Sequence, residues 1–150
     1  MHLVISNFLF VHKIILSASF KWFKKIKFTV DKHEKYILLK LNETKLNSIV
    51  SPQLKSELIL INTEGQRNII FDLSLVKFAD SSGLSSLLVG HRLCKNAAGT
   101  FILTGLNDAV ARLITISQLD TVLSIVPTPE EAIDLVFMEE IEKELKKEAK

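Results

Sequence analysis

The stretch that decides the fold is "RNIIFDLSLVKFADSSGLSSLLVGHRLCKNAAGTFILTG", residues 67–105. Its two short apolar runs, residues 67–74 and 100–105, are bounded by polar residues and are too short for helices, so they predict buried strands. Between them, residues 82–97 predict a helix that "NAAG" closes, with Gly99 as the terminator. A strand, a helix and a second strand in this order predict two parallel strands joined by a right-handed crossover.

The same alternation continues towards the C-terminus. Asn107 is expected to cap a helix over residues 108–117, and residues 121–126 predict a further strand. A last helix is expected over residues 128–150, with Thr128 as its cap. The apolar residues of this last helix recur at helical spacing and stop before a run of Glu and Lys; they are Ile133, Val136, Phe137 and Ile141.

The first part of the chain predicts a hairpin followed by a helix. Residues 26–32 and 35–42 are two β-rich runs with a short polar break. Residues 47–65 predict a helix in which Ser51 is the N-cap and Pro52 occupies the first helical position. The whole order, β-β-α-β-α-β-α-β-α, predicts an α/β fold with a mixed, mostly parallel sheet of about five strands and about four helices.

The composition is that of one soluble globular domain, with 47% hydrophobic and 24% charged residues in 150. Residues 1–25 contain four of the 19 basic residues and none of the 17 acidic ones, so the remainder carries 15 basic and 17 acidic residues. A slightly acidic body argues against direct binding of nucleic acid. The single cysteine, Cys94, fits a reducing compartment, and a cytoplasmic location is therefore expected.

The N-terminal segment, residues 1–25, is apolar and basic and differs from the rest of the chain. No basic region precedes its apolar run and no small-residue cleavage site follows, which argues against a signal peptide. Three interpretations stay open: a weak membrane anchor, a segment lying at a membrane interface, or a start codon assigned too early. We favour the last, because a soluble domain pattern begins at Ile26; contact with a membrane is expected only if the segment is real.

The junction "DSSG", Asp80 to Gly83, lies between a predicted strand and a predicted helix, and no enzyme motif surrounds it. The glycines form no phosphate-binding loop, and the histidines have no neighbours at metal-ligand spacing. His91 lies at least two helical turns from the two serines, which is beyond hydrogen-bond reach. The sequence therefore predicts no enzyme, no catalytic residue, no cofactor and no metal.

A cap explains only part of this junction. Asp and Ser are favoured N-caps, and a strand-to-helix turn needs one of them. A helix N-terminus also favours a nearby anion, because its N–H groups are free and its dipole end is positive. Phosphorylation of a serine there would add about −1.5 to −2 charges without unfolding the helix. The junction is therefore suited to a switch between two electrostatic states.

Residues 27–137 resemble a STAS domain, the fold of bacterial anti-sigma factor antagonists. The resemblance rests on the order of the elements and on four local signatures. These are the early turn Leu41 to Asn47 followed by "SPQLKSEL", the strand end "DLS" leading to "FADSSGL", the helix end "AAG" before an apolar strand, and "VARL" followed by "LD" and "EEA". Together with the composition, the resemblance leads us to expect an N-terminal extension over residues 1–25, which would be absent if the start codon is assigned too early, a STAS domain over 26–138 and a charged helical tail over 139–150.

In such antagonists the phosphate acceptor directly follows the Asp, which implies phosphorylation of Ser81. The implied partners are an anti-sigma factor serine kinase, which adds the phosphate, and a serine phosphatase, which removes it. Only the dephosphorylated antagonist binds the kinase and so frees the sigma factor. Asp80 would position the acceptor, Ser82 would form the turn, and Gly83 would permit a close backbone approach.

The early turn departs from the family pattern. Family members often have an acid there, whereas this chain has Asn47, preceded by Lys45 and Leu46 in place of a Gly-Glu-like pair. Because that turn contributes to the partner surface, Asn47 is expected to bear on the choice of partner. An alternative stays open, in which the chain is a non-phosphorylated STAS subunit of a membrane-associated lipid-transport ABC assembly and Ser81 is only a cap.

Overall fold

The computed structural model of the protein describes residues 25–149. Its main sheet has five strands in the spatial order β1-β2-β4-β6-β7, and only β1 runs antiparallel to its neighbour. Two further short strands, β3 and β5, form a separate parallel pair. The strands are β1 Phe28–Lys32, β2 Ile37–Leu41, β3 Lys45–Leu46, β4 Ile69–Asp72, β5 Phe78–Ala79, β6 Phe101–Thr104 and β7 Ser124–Val126. The predicted mixed, mostly parallel sheet is confirmed.

Within residues 25–149, four helices cover the sheet, as predicted, and they divide between its two faces. They are α1 Ser51–Thr63, α2 Ser81–Asn96, α3 Asp108–Ile116 and α4 Pro129–Glu148. Side chains of α1, α2 and α3 share one core with Phe71 of β4, whereas α4 packs on the other face, where Val136 contacts the cluster around Ile70. Because side chains alternate along a strand, consecutive residues of β4 serve the two cores.

Two of the predicted caps are confirmed. The Asn107 side chain accepts a hydrogen bond from the N–H of Val110 at 2.9 Å, and the Thr128 hydroxyl accepts one from the N–H of Glu131 at 3.2 Å. Each cap satisfies an amide at the start of a helix that has no partner within that helix. Within residues 25–149, no helix is both long and apolar enough to cross a membrane.

The predicted role of Ser51 as the N-cap is wrong, whereas α2 ends at the predicted turn, where the N–H of Gly99 donates to the carbonyl of Cys94 at 2.7 Å. Ser51 is the first residue of α1, and its hydroxyl donates to the carbonyl of Ser82 at 2.7 Å instead of capping the helix. At the end of α2 the left-handed residue is Ala98, with φ 59°. Gly99 is required for packing, because a Cβ atom there would lie 1.8 Å from the carbonyl oxygen of Arg67.

The apolar face of α4 is only half buried, which the sequence did not predict. Val136 is fully buried, whereas Phe137 is 43% and Ile141 is 57% exposed. A 20-residue helix is about 30 Å long, but the strands of four or five residues span only about 15 Å. The C-terminal half of α4 therefore extends past the edge of the sheet. The helix is not interrupted after residue 138, where the sequence analysis divides the domain from the charged tail.

A buried polar cluster holds α4 where it passes the amino ends of the strands. The Arg67 guanidinium and the side-chain amide of Asn68 both donate to Glu140, the latter at 3.1 Å. Asn68 also donates to the carbonyl of Lys35 at 2.9 Å and accepts from the N–H of Thr100 at 2.9 Å. This one amide thus connects α4 to the residues that precede β2 and β6.

The environment of Glu140 keeps its carboxylate charged. Burial alone raises the pKa of this carboxyl, but the hydrogen bond from Asn68, the charge and hydrogen bond of Arg67 and the charge of Lys143 outweigh it. The resulting pKa is below the usual glutamate value. A buried carboxylate stabilises the fold only while these partners remain in place.

Replacing Glu140 by Gln should lower the free energy of unfolding at pH 7 by about 1–3 kcal/mol, because a charged acceptor of two buried hydrogen bonds is lost. Since the pKa is lower in the folded state, the stabilisation is present above the ordinary glutamate pKa of about 4.3 and is lost as the pH falls through the folded value. In urea titrations, the stability difference between the two proteins should therefore shrink as the pH falls below the ordinary glutamate pKa and vanish below the folded value.

Glu142→Gln is the matched control, because Glu142 is 63% exposed in a surface pair with Lys146 at 3.0 Å. Its effect should stay below about 0.5 kcal/mol at every pH. Equal effects of the two substitutions at pH 7 would show that Glu140 is not a structural contact.

Candidate functional site

The candidate site lies at the carboxyl edge of the parallel strands, where two loops are held together by the β3–β5 pair. Lys45 is in register with Phe78, and the N–H of Asp80 donates to the carbonyl of Leu46 at 3.1 Å. The early turn and the DSSG junction are distant in sequence, but this ladder places them side by side. Strands of two residues are too short for a periodic pattern, and the sequence analysis missed them.

Asp80 is the N-cap of α2. Its backbone is extended, and its Oδ1 atom accepts a hydrogen bond from the N–H of Gly83 at 2.9 Å. The helix therefore begins at Ser81, one residue earlier than the sequence pattern predicted. Because its carboxylate accepts from the helix and its own N–H donates to β3, Asp80 fixes the direction in which α2 leaves the junction.

Gly83 lies where α2 meets β3. A Cβ atom at this position would be 2.2 Å from the carbonyl oxygen of Leu46 and 2.7 Å from the Leu46 side chain. Real Cβ atoms do not approach so closely, and the obstructing oxygen belongs to a hydrogen-bonded backbone. The first turn of α2 is therefore in direct contact with the early turn.

The two serines have different environments. Ser82 is half-buried, and its carbonyl accepts the hydroxyl of Ser51 from the start of α1. Ser81 is exposed, and its side chain makes no hydrogen bond to any residue of the described range 25–149. The backbone of α2 is thus attached on both sides of Ser81, while the Ser81 hydroxyl is accessible from solvent.

Asn47 orders the early turn. Its Oδ1 atom accepts hydrogen bonds from the N–H groups of Ile49 and Val50, at 3.1 and 3.3 Å. Asn47 directly follows Leu46, whose carbonyl accepts the hydrogen bond from the N–H of Asp80. The structure therefore brings the predicted site residues into one region; they are Asn47, Asp80, Ser81, Ser82 and Gly83. Asn47 is half-buried and carries no charge.

The two connections that meet at this edge carry exposed apolar and basic side chains. Three large side chains at this edge are exposed: Phe78 by 62%, Ile49 by 57% and Leu75 by 46%. Lys45 and Lys77, which belong to the same two loops, are exposed as well. Exposed apolar residues grouped with polar neighbours are typical of a protein-binding surface. The sequence analysis did not identify Phe78, because an exposed aromatic residue in a short strand has the same pattern as a core residue.

A third loop supports the same region. The Asn107 side-chain amide donates to the carbonyl of Lys77 at 3.1 Å, while its Oδ1 atom caps α3. The residues before β5 are therefore attached to the loop that follows β6. Hydrogen bonds among three loops therefore hold this surface in a preformed arrangement.

The titratable groups of α2 do not activate Ser81. Burial, together with the charges of Lys95 and Arg92, lowers the pKa of His91, so this side chain is neutral near pH 7. Burial also raises the pKa of the Cys94 thiol to about 12, despite a hydrogen bond from the backbone of Ile69 that lowers it. Both residues are more than two helical turns from Ser81. The Ser81 hydroxyl has no hydrogen-bonded base among the described residues, and such a base is what a serine nucleophile requires.

Comparison with known proteins identifies the fold. A profile of the STAS domain matches residues 14–132, starting within the segment that the sequence analysis treats as an extension. An anti-sigma factor antagonist from Mycobacterium paratuberculosis superimposes with a TM-score of 0.67 at 22% identity, over 75% of this chain and 94% of that one.

Two further solved structures are similar. SpoIIAA, the Bacillus cell fate determinant, in its phosphorylated form has a TM-score of 0.58 at 24% identity, over 73% of this chain and 99% of that one. RsbS of Moorella thermoacetica, in a serine-to-glutamate variant, has a TM-score of 0.62 at 24% identity, over 73% of this chain and 94% of that one. At these identities the similarity shows a shared fold.

Gly83→Ala should destabilise the protein, even though Ala is the better helix former by about 1 kcal/mol. The added methyl group would collide with the backbone of Leu46, and an overpacked site of this kind costs about 1–3 kcal/mol or more. We expect a net loss of about 1–2 kcal/mol in urea unfolding. Ser82→Ala, one residue earlier in the same helix, is the control and should change stability little. A Gly83→Ala protein as stable as wild type would show that α2 and β3 can separate freely.

Proposed function

This chain belongs to the STAS domain family, and we propose that it acts as an anti-sigma factor antagonist whose binding to a partner is switched by phosphorylation of Ser81. The observation that carries the proposal is the position of Ser81. This serine is exposed at the first residue of α2, beside the apolar surface of Ile49, Leu75 and Phe78. A change of charge there alters the surface without altering the core.

The fold can accept a phosphate at this position. The backbone around Ser81 is fixed by the Asp80 cap, by the contact of Gly83 with Leu46 and by the Ser51 hydroxyl. A negative group near a helix N-terminus is favourable by about 0.3–1 kcal/mol. Phosphorylation therefore leaves the helix intact while it adds about −1.5 to −2 charges to the surface.

The same charge is unfavourable once a partner covers the surface. An apolar contact that includes Phe78 removes water from the phosphate, and a buried charge without a partner is destabilising by several kcal/mol. The penalty in the complex is larger than the gain from the helix dipole. Phosphorylation thus favours the free protein over the bound one.

The partners that this proposal requires are a serine kinase that is also the anti-sigma factor, and a serine phosphatase. In support, one similar solved structure is a phosphorylated antagonist and another carries a glutamate in place of a serine. We propose that Asn47, with Lys45, gives the partner surface a different charge from that of relatives with an acidic turn. The buried thiol Cys94 is compatible with the cytoplasmic location of such a pathway.

The switch is tested at Ser81 with the cognate kinase, identified by pull-down in the absence of ATP. With ATP, intact mass should show one added phosphate, which Ser81→Ala abolishes and Ser82→Ala does not. Ser81→Asp should keep the wild-type melting temperature and weaken kinase binding at least about tenfold, because the charge is desolvated in the complex. Ser81→Ala should stay bound when ATP is present.

The control for this experiment is Ser82→Ala, which alters the neighbouring hydroxyl and should retain both binding and phosphorylation. Phosphate on Ser82 alone would contradict the assignment of the acceptor. Unchanged binding of Ser81→Asp would contradict the switch itself and favour the alternative, in which an unphosphorylated STAS subunit docks on a transporter ATPase.

The apolar centre of the surface is tested at Phe78. Because Phe78 is 62% exposed, Phe78→Ala should leave the melting temperature nearly unchanged. Loss of the Phe78 ring should nonetheless weaken partner binding by about 2 kcal/mol or more, if the ring is an anchor at the interface. Ile116→Ala, which removes an apolar side chain that is 71% exposed on α3, is the matched control for calorimetric titration. Equal affinities of the two variants would place the partner elsewhere.

A further inference from the structure

Two lysines lie next to the exposed ring of Phe78. Lys45 is in register with Phe78 across the β3–β5 pair, and Lys77 directly precedes Phe78 in the chain. Partners in register point to the same face of a sheet, and side chains alternate along each strand. Because the next residue of β3, Leu46, is fully buried, Lys45 and Phe78 share the outer face of the pair, where both are exposed.

The ammonium groups of these lysines have no partner within the described part of the chain. Among residues 25–149, neither Lys45 nor Lys77 forms an ion pair or a side-chain hydrogen bond. The backbone that carries them is nonetheless fixed. The N–H of Lys77 donates to the carbonyl of Thr44 at 2.8 Å, and its carbonyl accepts from the Asn107 side chain at 3.1 Å. Two free cations are therefore attached to an ordered backbone.

The nearby acids have structural roles of their own. Asp80 caps α2 through the N–H of Gly83, and Glu43 accepts a hydrogen bond from the N–H of Lys27 at 3.0 Å. Asp108 is exposed at the first residue of α3, where the helix dipole favours a negative charge. The lysines beside Phe78 are thus the charged groups of this edge that are available to a binding partner.

We propose that Lys45 and Lys77 bind carboxylates of the protein partner, and that a phosphate on Ser81 competes for these two cations. This inference rests on the proposed function, because it specifies the chemistry of the partner and the way in which the charge on Ser81 acts. An apolar ring with cations beside it is complementary to an apolar side chain with carboxylates beside it. Cations that are desolvated in a complex also require such partners, since a buried unpaired charge opposes binding.

The charges and the distances are suited to this competition. At about 3.3 Å per residue, the three residues from Phe78 to Ser81 span at most about 10 Å. This distance is comparable to the Debye length of about 8 Å at physiological ionic strength, so the charges interact through the solvent. A phosphate carries about −1.5 to −2 charges, which is close to the combined positive charge of Lys45 and Lys77. Phosphorylation therefore neutralises the cations that the partner requires.

The first test measures this coupling in the full chain without a partner. Phosphoserine is incorporated at position 81 by genetic encoding, and its second pKa, ordinarily about 6, is followed by phosphorus NMR at low ionic strength. Combined Lys45→Gln and Lys77→Gln substitutions should raise this pKa by about 0.5, because the loss of nearby cations disfavours the dianion. Lys147→Gln is the matched control, since Lys147 is exposed near the end of α4, beyond the amino ends of the strands. The same pKa in all three proteins would overturn the competition.

The second test measures binding to the cognate kinase by calorimetric titration at about 50 mM and about 500 mM salt. Combined Lys45→Glu and Lys77→Glu substitutions should weaken binding at least about tenfold at low salt, and the difference should shrink at high salt because the charges are screened. Lys147→Glu should bind as wild type does. All variants should keep the wild-type melting temperature, because the three lysines are exposed.

Full affinity of the Lys45→Glu and Lys77→Glu protein at low salt would show that the partner presents no carboxylates to these lysines. The proposed function has a different point of failure, which is full affinity of Ser81→Asp. A protein in which Ser81→Asp weakens binding and the lysine substitutions do not would retain the switch and lose the acidic partner.

Discussion

The site depends on the backbone contact between the early turn and the start of α2. The carbonyl of Leu46 accepts the N–H of Asp80 at 3.1 Å, and the absence of a side chain at Gly83 lets the helix lie directly on that residue. The N–H groups of Lys77 and Phe78 also donate to the carbonyl of Thr44, so these backbone contacts together join the two connections at the end of the sheet. With these contacts, Asn47, Phe78 and Ser81 lie on two connections that are fixed relative to each other.

The sequence predicted the elements whose length gives a clear period or whose caps are local. The five strands of the main sheet, the four helices and the caps Asn107 and Thr128 all fall in this class. The β3–β5 pair has two residues on each side, so no periodicity could indicate it. The residues of the DSSG junction could be identified from the sequence. The exposure of Phe78 could not, because it depends on which side of the β3–β5 pair faces solvent.

Glu140 shows why a charged run is an incomplete guide to exposure. It lies among Glu and Lys residues that are typical of a solvated helix, yet it is 7% exposed. The reason is tertiary: Arg67 and Asn68, more than seventy residues away in sequence, provide its hydrogen bonds. Conversely, Phe137 and Ile141 lie on the apolar period of the same helix and are exposed. Phe137 lies on a flank of the helix that meets Tyr36, just before β2, and Ile141 follows Glu140, past the end of the strands.

A charge switch requires the modified state and the unmodified state to have nearly the same fold, so that the difference appears in binding. In this protein the Ser81 backbone is held by groups other than its own hydroxyl: the Asp80 carboxylate, the Leu46 carbonyl and the Ser51 hydroxyl. The folding free energy therefore depends little on the hydroxyl itself. In the proposed switch, a partner that covers Phe78 would also desolvate the group on Ser81, and desolvation of a phosphate would exceed the dipole stabilisation of about 0.3–1 kcal/mol. The folding free energy thus depends on backbone contacts, whereas the binding free energy depends on the exposed surface. Because the two are separate, a helix start at the edge of a sheet is suitable for regulation by charge.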